Sequence, residues 1–213
     1  MKPLTIQEVD AIITANKVPR DRFPVVVVAV RGSDLDAGTP GENNRKIYDD
    51  LHVLRTPKGC EQWAGNTDPN GFRPGRGKGS KKGMGLLAPG IHLFAPGLHK
   101  GKIPAFRQAE PFTLIRDAFA GEEPVRDVGM HAVNWHPGGG DEKSFGQTWS
   151  LACQTNPKPT FQLIRGRVLG ACLQFHQEEG KNDLGQDGPL IPYILIEETE
   201  RRKGNLVVSK RYF

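Results

Sequence analysis

A chain of 213 residues is long enough to bury one sizeable core, and 37% hydrophobic content excludes disorder on composition alone. The formal charge of +5, with a sequence pI of about 9.2, suits an anionic partner without choosing between nucleic acid and an acidic envelope polymer. Glycine (26) and proline (17) favour short strands and ordered turns over a helical bundle. The expected fold is therefore mostly β with flanking helices, a β-rich α+β domain.

TIQE at 5–8 reads as a capping box, and Ile6, Val9 and Ile13 recur on one face, which predicts a short amphipathic helix over 5–17. PVVVVAVR (24–31) is β-branched without polar alternation, the pattern of a strand buried on both faces. A turn-rich loop is expected over 32–44, a strand over 47–56, and a turn at 56–59 before CEQW. RPGRGKGSKKG (73–83) sets five basic residues among glycines with nothing to bury, so a flexible surface loop is expected there. GLLAPGIHLFAPG (85–97) reads as two short strands or a hairpin, PFTLIRDAF (111–119) as a strand and GEEPVRD (121–127) as a polar loop.

MHAVNWH (130–136) reads as a strand with His131, Val133 and Trp135 on one face and Ala132, Asn134 and His136 on the other. After the turn at PGGG, TWSLACQT (148–155) returns as an extended segment. Apolar residues at 161, 164, 168, 172 and 175 predict a helix over 161–179 that buries Cys172 and Phe175. PLIPYILIE (189–197) is a strong closing strand and NLVVSKRYF a final one. No repeat or linker divides the chain, so a single domain over 1–213 is expected, with its core at about 24–200.

Three cysteines, Cys60, Cys153 and Cys172, cannot all pair, which leaves at least one free thiol. His92, His99 and His131 could in principle join a cysteine as zinc ligands, but paired metal-binding spacing is missing, and neither metal nor cofactor is expected. The N-terminus lacks the apolar core of a signal peptide and no run is long enough to span a membrane. Synthesis in the cytoplasm is expected, with delivery by other means if the protein acts elsewhere. The 73–83 basic loop lacks interleaved aromatics, so nucleic acid is not the expected partner.

NWHPGGGDEKSFGQTWSLACQT (134–155) joins a histidine to a cysteine by a glycine-rich loop. An imidazole within reach of a thiol takes its proton and later protonates a leaving amine. On the two strands predicted here, His136 and Cys153 can meet, with Ser150 bonding either a histidine or the local turn, and Ala152 and Cys153 supplying backbone N–H groups to an oxyanion. The alternative is an inert buried cysteine.

The segment resembles the signature of the L,D-transpeptidase (YkuD-like) family, a histidine followed at this distance by Ser/Thr-x-Gly-Cys, here His136, Ser150, Ala152 and Cys153. The wider chain is similar to uncharacterised phage-type members through IYDD (47–50), AGNTDPNGFRPG (64–75), LLAPGIHLFAPGLHKG (86–101), FRQAEPFTLIRD (106–117), VNWHPGG (133–139) and SLACQT (150–155). Ala152 stands where the family carries glycine, and Gln154 and Thr155 where many cellular members have a substrate-holding arginine nearby.

The resemblance implies an L,D-transpeptidase-like β-sandwich or barrel and a cysteine enzyme of peptidase or L,D-transpeptidase type, acting on peptidoglycan stem-peptide bonds through a thioester as a phage lysis or entry factor. Asn134, Asn66, Asp68 and Arg116 are then candidates to bind substrate. For NTDP the alternative is an Asx-type turn, and for Arg116 a pair with Asp117. It further implies work at the bacterial wall or periplasm, with virion or secretion-apparatus association, and contact with anionic envelope polymers. The competing expectations are a catalytically inactive wall-binding or virion module of the same fold and, more remotely, a basic nucleic-acid-binding protein.

Overall fold

The protein is described by a computed structural model over residues 3–33, 43–76, 79–140, 148–178 and 189–208. In chain order these form α1 (Ile6–Ala15), β1 (Val26–Arg31), β2 (Asp50–Thr56), β3 (Gly59–Gly65), β4 (Gly85–Leu87), β5 (Gly90–His99), β6 (Ile103–Gln108), β7 (Phe112–Arg116), β8 (Val125–Gly129), β9 (Asn134–Pro137), β10 (Gln154–Asn156), α2 (Lys158–Glu178), β11 (Ile191–Glu197) and α3 (Glu198–Arg202). The domain is mostly β with few helices. No helix among the described residues is long and apolar enough to cross a membrane.

An eight-stranded sheet runs in the order β10-β9-β6-β5-β11-β1-β2-β3, beside a three-stranded sheet β4-β7-β8. The large sheet curls into a nearly closed barrel. Its ends meet where Asn66, just past β3, and Thr155 of β10 exchange backbone hydrogen bonds of 2.7 and 2.8 Å. That closure removes most of an exposed edge.

The unbroken valine run of β1 has a simple cause. Val27 and Ala29 enter one core with Phe94, Phe106, Trp135, Tyr193 and the α2 residues Phe161, Ile164 and Val168. Val26, Val28 and Val30 enter a second core with Val9, Ile12 and Ile13 of α1. β11 divides in the same way, Tyr193 and Leu195 to the first core, Ile194 and Ile196 to the second. Alternation is invisible in the sequence because both faces are apolar. The capping box of α1 forms as expected, with Thr5 Oγ1 accepting from Glu8 N at 3.2 Å and Thr5 N donating to Glu8 Oε2 at 2.8 Å.

Several expectations are corrected. Of the two readings of 85–97, the two strands form, as β4 and β5 in different sheets, and the hairpin does not; the hairpin is β5–β6, turned by Lys100 and Gly101 at φ 52° and 69°. The polar stretch at 121–127 already contains the start of β8, which pairs with β7 on an exposed edge and so needs no apolar alternation. Residues 205–208 form no strand, 209–213 lie outside the described residues, and the helix α3 precedes them. Most of the 32–44 loop, at 34–42, is likewise outside them. Residues 77–78 of the basic loop lie outside the described residues; at its ends Pro74 bridges Gly83, Arg76 pairs with Glu122, and Lys82 with Asp127 at 2.9 Å. Cys172 is buried in the α2 core, whereas Phe175 is half-exposed.

Candidate active site: a cysteine and two histidines on one sheet face

β10 runs parallel to β9, with Thr155 opposite His136 and Gln154 opposite Trp135. The loop between them is therefore a crossover and not a hairpin return. Period-2 alternation then sorts the side chains. Trp135 and Gln154 face the barrel interior, while Asn134, His136, Cys153 and Thr155 share the other face. β6 continues the row, with Arg107 opposite Asn134, and β5 brings in His99 at the hairpin end. His136 and Cys153 are linked by the loop between them, whereas no local sequence signal ties His99 to either.

A ring nitrogen of His99, a ring nitrogen of His136 and the Cys153 sulfur all lie within 4.8 Å of one another. The two imidazoles stack with centroids 4.1 Å apart and planes inclined by 16°. His136 Nδ1 is 2.8 Å from Pro137 O, so it carries the ring proton and leaves Nε2 with its lone pair. Asn134 Nδ2 donates to Ala132 O at 2.8 Å and meets His99 Nδ1 at 2.9 Å. The Asn134 backbone N–H points at the Cys153 sulfur, at 3.5 Å. Ala132 itself holds a left-handed φ of 54°, which delays the start of β9 to Asn134.

Burial sets the resting charge state. It pushes the Cys153 thiol up from its ordinary value, against the Asn134 N–H and the charge of Lys100. It pulls His136 down to about 4, a shift that the Pro137 hydrogen bond opposes and that His99 and Lys100 reinforce. His99 is lowered by burial and then by Lys100. Thiol and imidazoles therefore rest neutral at pH 7. The arrangement suits proton transfer during attack more than a standing thiolate–imidazolium pair.

The other sequence candidates sort as follows. Ser150 Oγ donates to Cys153 O at 2.6 Å, the local-turn role, and the Ser150 carbonyl accepts from Asn70 N at 2.6 Å. Ala152 packs against the main core. Gln154 points inward, its Oε1 3.1 Å from Tyr193 Oη. Asn134 is 5% exposed and holds His99. Asn66 is fully buried and its Oδ1 accepts from Asp68 N at 3.1 Å, forming the Asx-type turn. Asp68 is buried against Arg31 at 3.0 Å. Arg116 pairs with Asp127 at 2.8 Å, and Asp117 takes Arg45 instead. Asn66 and Asp68 thus sit inside the fold.

His99 is the residue whose place the sequence did not disclose. Behind the site a buried polar network braces β9 and β10. Asn156 Oδ1 accepts from Trp135 Nε1 at 2.7 Å and lies 2.9 Å from His52 Nδ1, while His52 Nε2 is 3.0 Å from Tyr193 Oη. Gly65 provides the space for it, since a methyl there would sit 2.5 Å from His52 Nδ1. Exposed Trp149 and Leu151 flank Ser150 on the solvent side. A cavity of about 230 Å³ opens elsewhere, between Lys82, Arg116, Phe119, Glu122 and Asp127, and is lined by neither cysteine nor histidine. No protein-family model matches the chain, and no curated protein matches it either.

Proposed function

We propose that the chain is a cysteine-dependent enzyme of L,D-transpeptidase-like fold that acts on stem-peptide bonds of peptidoglycan through a thioester. The observation that carries the reading is the meeting of Cys153 with His136 on one face of a parallel strand pair, with the imidazole lone pair free at Nε2. In this mechanism Nε2 takes the thiol proton as the sulfur attacks the peptide carbonyl. Backbone N–H groups around Ala152 and Cys153 receive the oxyanion, and the amine leaves with the proton from His136. Water then hydrolyses the thioester, or an amine from a second stem accepts the acyl group. The excess positive charge favours residence on anionic envelope polymers after delivery to the wall.

A catalytically silent wall-binding or virion module of the same fold is the second reading. It is favoured by the burial that drives the thiol and His136 away from an ion pair.

Purified protein incubated with stem tetrapeptides and sacculi separates the two. The enzyme reading expects released or exchanged peptide by mass spectrometry, abolished by Cys153→Ala and preserved, with a looser fold, in Cys172→Ala. Sedimentation with sacculi and no product would establish the silent module.

A further inference from the structure

Two histidines from two strands and a thiol from the turn before a third make more than a proton relay. Zinc-class ions hold nitrogen at about 2.0 Å and sulfur at about 2.3 Å, so ligand atoms in a tetrahedral site stand about 3.3–3.6 Å apart. The His99, His136 and Cys153 atoms already lie within 4.8 Å of each other. Closing the remainder requires the half-buried His99 ring to tilt out of its stack on His136. His136 has the protein partner that oriented metal ligands use, its Nδ1–H donating to Pro137 O, whereas His99 Nδ1 accepts from Asn134 Nδ2, a bond that His99 gives up when it turns to the ion. Soft sulfur with two imidazoles selects zinc or cobalt over magnesium or calcium.

We propose that His99, His136 and Cys153 form a three-ligand site for a zinc-class divalent ion, and that the bound ion silences the thiol. The site is distinct in chemistry from the buried Asp49, Asp50 and Asp68 group, whose neighbour Arg31 already supplies positive charge. On binding, the three side chains displace all but one of the waters of the aqueous ion, the thiol proton passes to solvent, and the remaining water keeps the fourth position. No electron is transferred. A sulfur engaged as a metal ligand has its lone pair committed and does not attack a carbonyl. The silencing half rests on the proposed thiol mechanism; the binding half stands on the ligand geometry alone.

Cobalt(II) titration of the full chain tests both. The expected result is a tetrahedral cobalt spectrum with a sulfur-to-cobalt charge-transfer band at one ion per chain. Cys153→Ala loses the band, Cys60→Ser keeps it, and His99→Ala weakens binding by about tenfold or more. Zinc added to active protein suppresses stem-peptide turnover and a chelator restores it. Absence of any cobalt band in the folded wild type overturns the metal site and leaves the thiol reading intact. Zinc that activates, with loss of turnover on chelation, overturns silencing and the thiol mechanism together, because the nucleophile would then be the ion-bound water.

Discussion

The backbone N–H of Asn134 lies 3.5 Å from the Cys153 sulfur, and the side chain of the same residue reaches His99 Nδ1 at 2.9 Å. One asparagine thus touches both the nucleophile and the second imidazole. Asn134→Ala keeps the backbone donor and releases His99. The variant should lose about 1 kcal/mol of stability and roughly tenfold in stem-peptide turnover through misplacement of the rings. Urea unfolding and a turnover assay measure the two effects, and an unchanged turnover would separate His99 from the site's work.

Ser150 closes the turn that presents the thiol. Ser150→Ala removes the 2.6 Å bond to Cys153 O and should cost about 1 kcal/mol. Cys153, no longer held by that turn, should alkylate faster with iodoacetamide, and Ser150→Thr should restore the wild-type rate. Peptide mapping of the labelled cysteine provides the check.

Arg31 is 2% exposed and is the charge centre of a buried polar cluster at the end of β1. It meets Glu197 at 2.9 Å, Asp68 at 3.0 Å and Leu87 O at 2.9 Å, while Asp50 accepts from Gly32 N and Thr67 N at 2.6 Å each. Arg31→Met leaves buried carboxylates without their cation and should cost about 3–5 kcal/mol. Adding Asp68→Asn should recover part of that loss, as read from denaturant midpoints.

Burial holds His52, His92 and His136 at about 4, below the ordinary 6.5. Each folded ring binds fewer protons than its unfolded counterpart between these values. Their contribution to stability is full above pH 6.5 and is lost as pH falls from 6.5 to about 4, at up to about 1.4 kcal/mol per pH unit for each ring. Asp50 and Asp68, raised chiefly by burial, act with the opposite sign and soften the fall. Ring-proton NMR should show three histidines still neutral at pH 5.5; midpoints near 6.5 would contradict their burial.

The chain's periodic elements were legible: the capping box at Thr5–Glu8, the doubly buried β1, and the helix that buries Cys172 all form where local pattern required them. What local pattern lacks is pairing order. Nothing in TWSLACQT states that its strand runs parallel to β9, and β8 hid in a charged stretch because an exposed edge strand needs no apolar face. The meeting of His136 and Cys153 was readable from the loop between them, but His99 was not. It arrives through the β5–β6 hairpin, thirty-odd residues upstream of Asn134, and only sheet register brings it in.

The central claim is that the Cys153 sulfur carries the acyl group. Brief incubation of the protein with a stem tetrapeptide, acid quenching and intact-mass analysis tests it directly. The account predicts a peptidyl mass on a fragment containing Cys153, absent in Cys153→Ala and diminished in His136→Ala. Turnover of the peptide by Cys153→Ala at the wild-type rate would contradict it.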